Sequence, residues 1–268
     1  MKGATVRKAS TFCDGGLSVS LGATAPVGSS FVLTANQNDG NTVDDSDFNI
    51  GRLNDAGSAV DFNFGSTCGG PQSMLAQVVT LPNIVVTRGV NTMAMGSLTR
   101  GVADPPAPSS GVLLAQWRAP VSGAGICDRT IRTELQGASV NFSRGNASAT
   151  CAGAQLPAIV WDKIDFKNTA SVQQVGVTMG VGTGLMTTTI NAVDRTRTLV
   201  FTGAQGSTGQ AIGEGTHPGT TNTTDYLGDV SAALTLAGAG YQSTSLSSRR
   251  GSTLGSSKWT VYVVELNP

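Results

Sequence analysis

One strand-like pattern recurs three times along this chain, and that repetition limits the fold more than any other feature. The apolar runs Phe31-Val32-Leu33-Thr34-Ala35-Asn36-Gln37, Val112-Leu113-Leu114-Ala115-Gln116-Trp117-Arg118 and Leu199-Val200-Phe201-Thr202-Gly203-Ala204-Gln205 begin 81 and 87 residues apart. Their flanks repeat as well. Val90-Asn91-Thr92-Met93-Ala94-Met95-Gly96 precedes the second run, and Val175-Gly176-Val177-Thr178-Met179-Gly180 precedes the third. Ala59-Val60-Asp61-Phe62-Asn63-Phe64-Gly65 matches the stretch Ala138–Gly145, and both alternate apolar with polar residues as a half-buried strand does. Each copy then closes on an apolar strand: Ala76–Leu81, Ala158–Trp161 and Trp259–Leu266.

The expected organisation is three tandem repeats over residues 4–83, 84–168 and 169–268. In the first, strands are expected near Ala4–Phe12, Leu17–Leu21, Phe31–Ala35, Phe48–Leu53, Ala59–Phe64 and Ala76–Leu81, with turns where Gly, Asn, Asp and Pro cluster. Six short antiparallel strands of this kind predict an all-β fold of three tandem six-stranded β-sandwich repeats. Composition agrees. Charged residues are only 13% of the chain and hydrophobic ones 39%, so it has neither the high charge nor the low hydrophobicity of a disordered chain.

Lys plus Arg and Asp plus Glu are both 17, which leaves no positive excess to displace counterions from a phosphate backbone. Nucleic acid is therefore not an expected partner. The densest basic spot, Arg249-Arg250, reads as a solvated turn. Membrane insertion is not expected either, because no run approaches the roughly 18 apolar residues of a spanning helix. The start, Met1-Lys2-Gly3-Ala4-Thr5-Val6-Arg7-Lys8, has no apolar stretch behind its charges and does not read as a signal peptide. A near-neutral surface with few charges is poorly defended against self-association.

The strand order, and the closing strand Trp259-Thr260-Val261-Tyr262-Val263-Val264-Glu265-Leu266, resemble the H-type lectin fold. That fold is a six-stranded antiparallel sandwich that commonly trimerises, and related β repeats occur in bacteriophage tail and virion surface proteins. The resemblance implies a pseudo-threefold arrangement of the three copies, a trimer written in one chain. The family's sugar-binding residues are not carried over, because no position here matches them. The available indoles are Trp117, Trp161 and Trp259, and the last two lie in closing strands, where core packing is the expected role.

The four cysteines, Cys13, Cys68, Cys127 and Cys151, match no zinc-ligand spacing. Cys68 and Cys151 follow the fifth strand of their copies, 83 residues apart, which suggests the bridges Cys13–Cys68 and Cys127–Cys151. Four buried free thiols are the alternative. Asp39, Asp44, Asp45 and Asp47 crowd one loop, and hard oxygen donors at that density suit Ca²⁺. Their spacing is not that of an EF-hand, so a solvated loop is the default and calcium the alternative; no other cofactor or metal is expected. His217, the single histidine, lies in a turn-rich loop without a nucleophile signature. Asp44, Asp47 and Glu134 are carboxylates for which nothing in the sequence sets a catalytic geometry. The glycine-rich stretches 180–184 and 251–258 lack the strand–turn–helix setting of a nucleotide site and read as turns.

Taken together, these features predict a non-enzymatic structural or interaction protein of a virus particle: a bacteriophage capsid-decoration, tail, collar or fibre component. Its partners would be other virion proteins or further copies of itself, with host glycans as a further candidate. The alternative is a carbohydrate-binding module or a surface adhesin, extracellular rather than virion-borne.

Overall fold

The computed structural model describes residues 3–12, 17–37, 48–64, 73–97, 99–103, 111–118, 130–137, 139–144, 156–180, 182–207, 232–238, 240–250, 253 and 257–268. The first third carries β1 (Thr5–Phe12), β2 (Leu17–Ser20), β3 (Ser30–Gln37), β4 (Ile50–Leu53), β5 (Ala59–Asn63) and β6 (Ser73–Thr80), with a single 3₁₀ turn at Val27–Ser29. The second carries β7 (Val85–Met93), β8 (Thr99–Ala103), β9 (Gly111–Arg118), β10 (Arg132–Gln136), β11 (Ser139–Ser143) and β12 (Leu156–Asp165). The last carries β13 (Ala170–Met179), β14 (Leu185–Asp194), β15 (Thr198–Ser207), β16 (Ala232–Ala237), β17 (Gln242–Arg250) and β18 (Ser257–Leu266). The six strands expected for the first copy all form, each within a few residues of its expected place.

All pairings are antiparallel, and the topology recurs without change. Strands one, six and three of each third form one sheet (β1-β6-β3, β7-β12-β9, β13-β18-β15). Strands two, five and four form the other (β2-β5-β4, β8-β11-β10, β14-β17-β16). The two sheets of a third face each other across a core. In the first, Ala9, Val32, Met74, Ala76 and Val78 from one sheet meet Leu53, Val60 and Phe62 from the other. In the last, Val177, Trp259, Val261 and Val263 meet Ile190, Val193 and Leu246. The fold is thus all-β, three consecutive six-stranded sandwiches. Within the first, Gly57 at φ +70 makes the turn before β5, where a Cβ would stand 2.0 Å from the Ala25 carbonyl oxygen.

The sixth strands show what joins the units. In β6, Met74, Ala76 and Val78 point into the sandwich and are fully buried, while Leu75 on the opposite face is 36% exposed. That is ordinary one-sided alternation. In β18, Trp259, Val261 and Val263 point inward, yet Tyr262 and Val264 on the outer face are also 0% exposed. The near-continuous apolar run of β18 exists because both its faces are covered. The outer side chains belong to a central cluster drawing on all three units: Phe31 and Leu81 from the first, Val112 and Ile164 from the second, Phe201, Tyr262 and Val264 from the third. Val79, Ile164 and Val264 hold the same register position in their sheets, opposite Phe31, Val112 and Leu199 respectively, so the cluster is made of corresponding rows.

Candidate interaction surfaces

Since the central strands cover one another, the outer face of each first sheet is the natural interaction surface. Its rows follow from the register. Next to the Val79, Ile164 and Val264 row comes a second: Lys8, Gln77 and Leu33 in the first unit, Arg88, Asp162 and Leu114 in the second, Gln174, Tyr262 and Phe201 in the third.

In the second unit this row is polar, and it grips the first unit. Arg88 Nε lies 3.0 Å from Asp162 Oδ1. The same guanidinium donates to the Val27 carbonyl at 2.5 Å and to the Ser30 carbonyl. Asp162 accepts from the Val32 N–H at 3.3 Å. One row further, the Gln116 amide pairs with the backbone of β4, accepting from the Gly51 N–H at 2.6 Å and donating to the Gly51 carbonyl at 3.0 Å. A side-chain amide thereby substitutes for a neighbouring strand at a sheet edge. Val32, Gly51, Arg52, Leu114, Gln116 and Asp162 line a small cleft along this joint. Burial holds the Asp162 carboxyl above its ordinary value, only partly offset by the Arg88 charge and the Val32 hydrogen bond.

In the third unit the same row is mainly apolar. Tyr262 and Phe201 are buried, β15 packs across β9 and β10, and β18 meets β10. Gln174 donates to the Leu135 carbonyl at 3.2 Å, repeating in weaker form what Arg88 does in the unit before. Burial pushes the Tyr262 phenol above its usual range. Two joints of one geometry are therefore built with different chemistry.

A second repeated device had no expectation attached to it. Arg144 and Arg250, only 2% and 4% exposed, each follow or end the fifth strand of their unit. Arg144 donates from Nε to Ser97 O at 2.9 Å and from Nη2 to Ala94 O at 2.8 Å. Arg250 donates likewise to Thr183 O at 2.8 Å and to Gly180 O at 2.6 Å. Each pins the connection between the first and second strands of its unit. The reading of Arg249-Arg250 as a solvated turn is therefore corrected for Arg250: it is a buried strand end whose guanidinium donates to the Thr183 and Gly180 carbonyls of that connection. Only Arg249 is exposed. A signal was available, since Arg144-Gly145 and Arg250-Gly251 stand at one repeat position, where the first unit has Phe64-Gly65.

The expected site residues fall as follows. Asp39, Asp44, Asp45, Asp47, His217 and all four cysteines, Cys13, Cys68, Cys127 and Cys151, lie outside the described residues. Glu134 is tied to Arg132 at 3.0 Å and to the Gln136 amide at 2.8 Å. The three indoles are core groups: Trp259 is 0%, Trp161 6% and Trp117 9% exposed, the last stacked on Phe48. Among the described residues no helix is long and apolar enough to cross a membrane.

No protein-family model matches this chain, and no curated protein matches it.

Proposed function

We propose that this protein is a non-enzymatic structural and interaction component of a virus particle, most directly a bacteriophage capsid-decoration or tail, collar or fibre protein, in which H-type-lectin-like sandwiches serve as building blocks. The observation that carries the reading is the central cluster. Three sandwiches are fused through corresponding rows of side chains, yet their outer faces carry different chemistry. Such a body is a rigid spacer whose units meet different neighbours, and burial of apolar surface around a polar rim is what holds subunits of an assembly. Mass spectrometry of purified particles from the host of this gene, together with binding of the purified chain to particles lacking it, tests this. The protein should be present at fixed stoichiometry and should rebind; its absence from every particle fraction overturns the reading.

A carbohydrate-binding role has one observation in its favour. Tyr241 is 74% exposed on a turn that Arg195 pins by donating to the Gly238 and Gly240 carbonyls at 3.0 and 3.3 Å. A fixed, exposed phenol is a suitable platform for the apolar face of a sugar ring. Glycan-array binding that free sugar competes away and Tyr241→Ala abolishes would establish it.

A further inference from the structure

The two joints obey one rule: the outer face of a unit's first sheet rests on the third- and fourth-strand side of the unit before it. The second unit's sheet meets β3, β4 and the Val27–Ser29 turn, and the third unit's sheet meets β9 and β10. The two halves of a third such joint touch within the chain at Phe31 and Phe201, and beyond that contact their described residues stand exposed. On the first unit, the outer face of β1-β6-β3 exposes Val6 at 55%, Phe12 at 71% and Leu75 at 36%, with Lys8, Ser10 and Ala35 exposed beside them. On the third unit, Ala233 and Thr235 are exposed on β16, the strand that corresponds to β4 and β10. Strand packing between the first and third units is slight, and Phe31 meets Phe201 edge-on at 6.3 Å.

We infer that the outer face of β1-β6-β3 is a self-association surface, and that its occupant is the β15–β16 side of the third unit of a second copy. The two halves are those that the chain's own joints would pair. Lys8 holds the register position of Arg88 and Gln174, both of which donate to main-chain carbonyls across their joints. The carbonyl corresponding to that of Leu135 belongs to Leu236, on an edge strand that pairs only with β17. Val6 and Leu75 occupy places where the second unit has the buried Val86 and the half-buried Val160. Apolar side chains at such places reward being covered. The contact uses a different patch on each copy, so it is heterologous and propagates head to tail into a ring or a filament.

The inference deepens the assembly reading and rests on it for its biological setting, but its test needs no particle. Sedimentation of the whole chain over a concentration series should show growth beyond the monomer. Leu75→Lys and Thr235→Lys, both at exposed positions, should each weaken association by roughly tenfold or more by placing an uncompensated charge in the joint. Their melting curves should stay those of the wild type, and Tyr241→Ser should associate normally. The decisive sample is an equimolar mixture of the two lysine variants. One intact face and one intact side remain, so the mixture should form dimers and nothing longer. A wild type that stays monomeric throughout, lysine variants that associate undiminished, or a mixture that forms no dimer each overturns the inference. Absence from particles with association intact would instead count against the assembly reading alone.

Discussion

The Trp161 indole occupies the space that any side chain on Gly89, its direct partner across the β7–β12 ladder, would need. A Cβ at Gly89 would stand 2.2 Å from Trp161 Cζ2, and the indole N–H donates to Asn91 Oδ1 at 2.7 Å two residues along the same strand. The glycine is thus part of a packing unit, a strand position left empty so that a large ring can lie over it. Gly89→Ala should cost about 1–3 kcal/mol as overpacking, and Trp161→Ala about 3–5 kcal/mol as a cavity. Guanidinium denaturation of both variants checks this, and the paired replacement should fall well short of additivity.

Removing one partner of the polar joint should hurt more than removing both. Arg88→Met leaves Asp162 buried without its counter-charge, an expected loss of about 3–5 kcal/mol. Arg88→Met combined with Asp162→Leu should recover only part of that loss, because the pair's desolvation disappears with its attraction while the Val27 and Ser30 carbonyls and the Val32 N–H lose their partners. Equilibrium unfolding of the single and double variants reads the difference.

Asp162 also sets a pH dependence with an unusual sign for a carboxylate. Its pKa is raised above 3.8 in the folded chain, so the folded state holds this proton more tightly than the unfolded one. The favourable contribution is fully present below 3.8 and is lost as pH rises through the raised folded value. Measured against Asp162→Asn, the wild type should therefore lose relative stability from acid toward neutral pH. A difference that grows toward neutral pH would mean the Arg88 charge outweighs burial.

For Arg144 and Arg250 the prediction concerns local order as well as stability. Deleting either guanidinium removes two charge-assisted hydrogen bonds to main-chain carbonyls, at a cost of about 2–3 kcal/mol for each arginine. Lysine should rescue poorly, because a point charge cannot reach two carbonyls with a planar fork. Hydrogen exchange should accelerate at the Gly182 amide, which donates to Thr253 O at 2.7 Å, in Arg250→Ala but not in Arg144→Ala.

The proposed bridges Cys13–Cys68 and Cys127–Cys151 predict no titratable thiol in denaturant without reductant, and a loss of about 3–4 kcal/mol per bridge on reduction. Four reactive thiols would rule the bridges out.

What the sequence made legible was whatever repeats at short range. Period-two alternation marked β2 and β5, an apolar closing run marked β6, and the spacing of Phe31, Val112 and Leu199 marked the threefold repetition. The joints were not legible. Arg88, Gln116 and Asp162 sit at outward positions of their strands, where polar residues normally mean solvent, and nothing local distinguishes an outer face that meets water from one that meets another sandwich. The run Trp259–Leu266 did carry that information, since a strand apolar on both faces must be covered on both. Arg250 was missed because its carbonyl partners lie about seventy positions earlier in the chain.

The pairings Thr5 with Thr80, Val85 with Asp165 and Ala170 with Leu266 have a consequence for how such a chain can grow. They bring the entry and exit of every sandwich to the same corner, side by side in one ladder. A unit can therefore be duplicated, deleted or exchanged as a cassette without a long connector to lead the chain back. The few residues between β6 and β7, and between β12 and β13, suffice to pass the chain on to the next unit. Fusion in this manner frees each cassette to diverge alone, which an oligomer of identical chains cannot do, and the polar and apolar joints record that freedom.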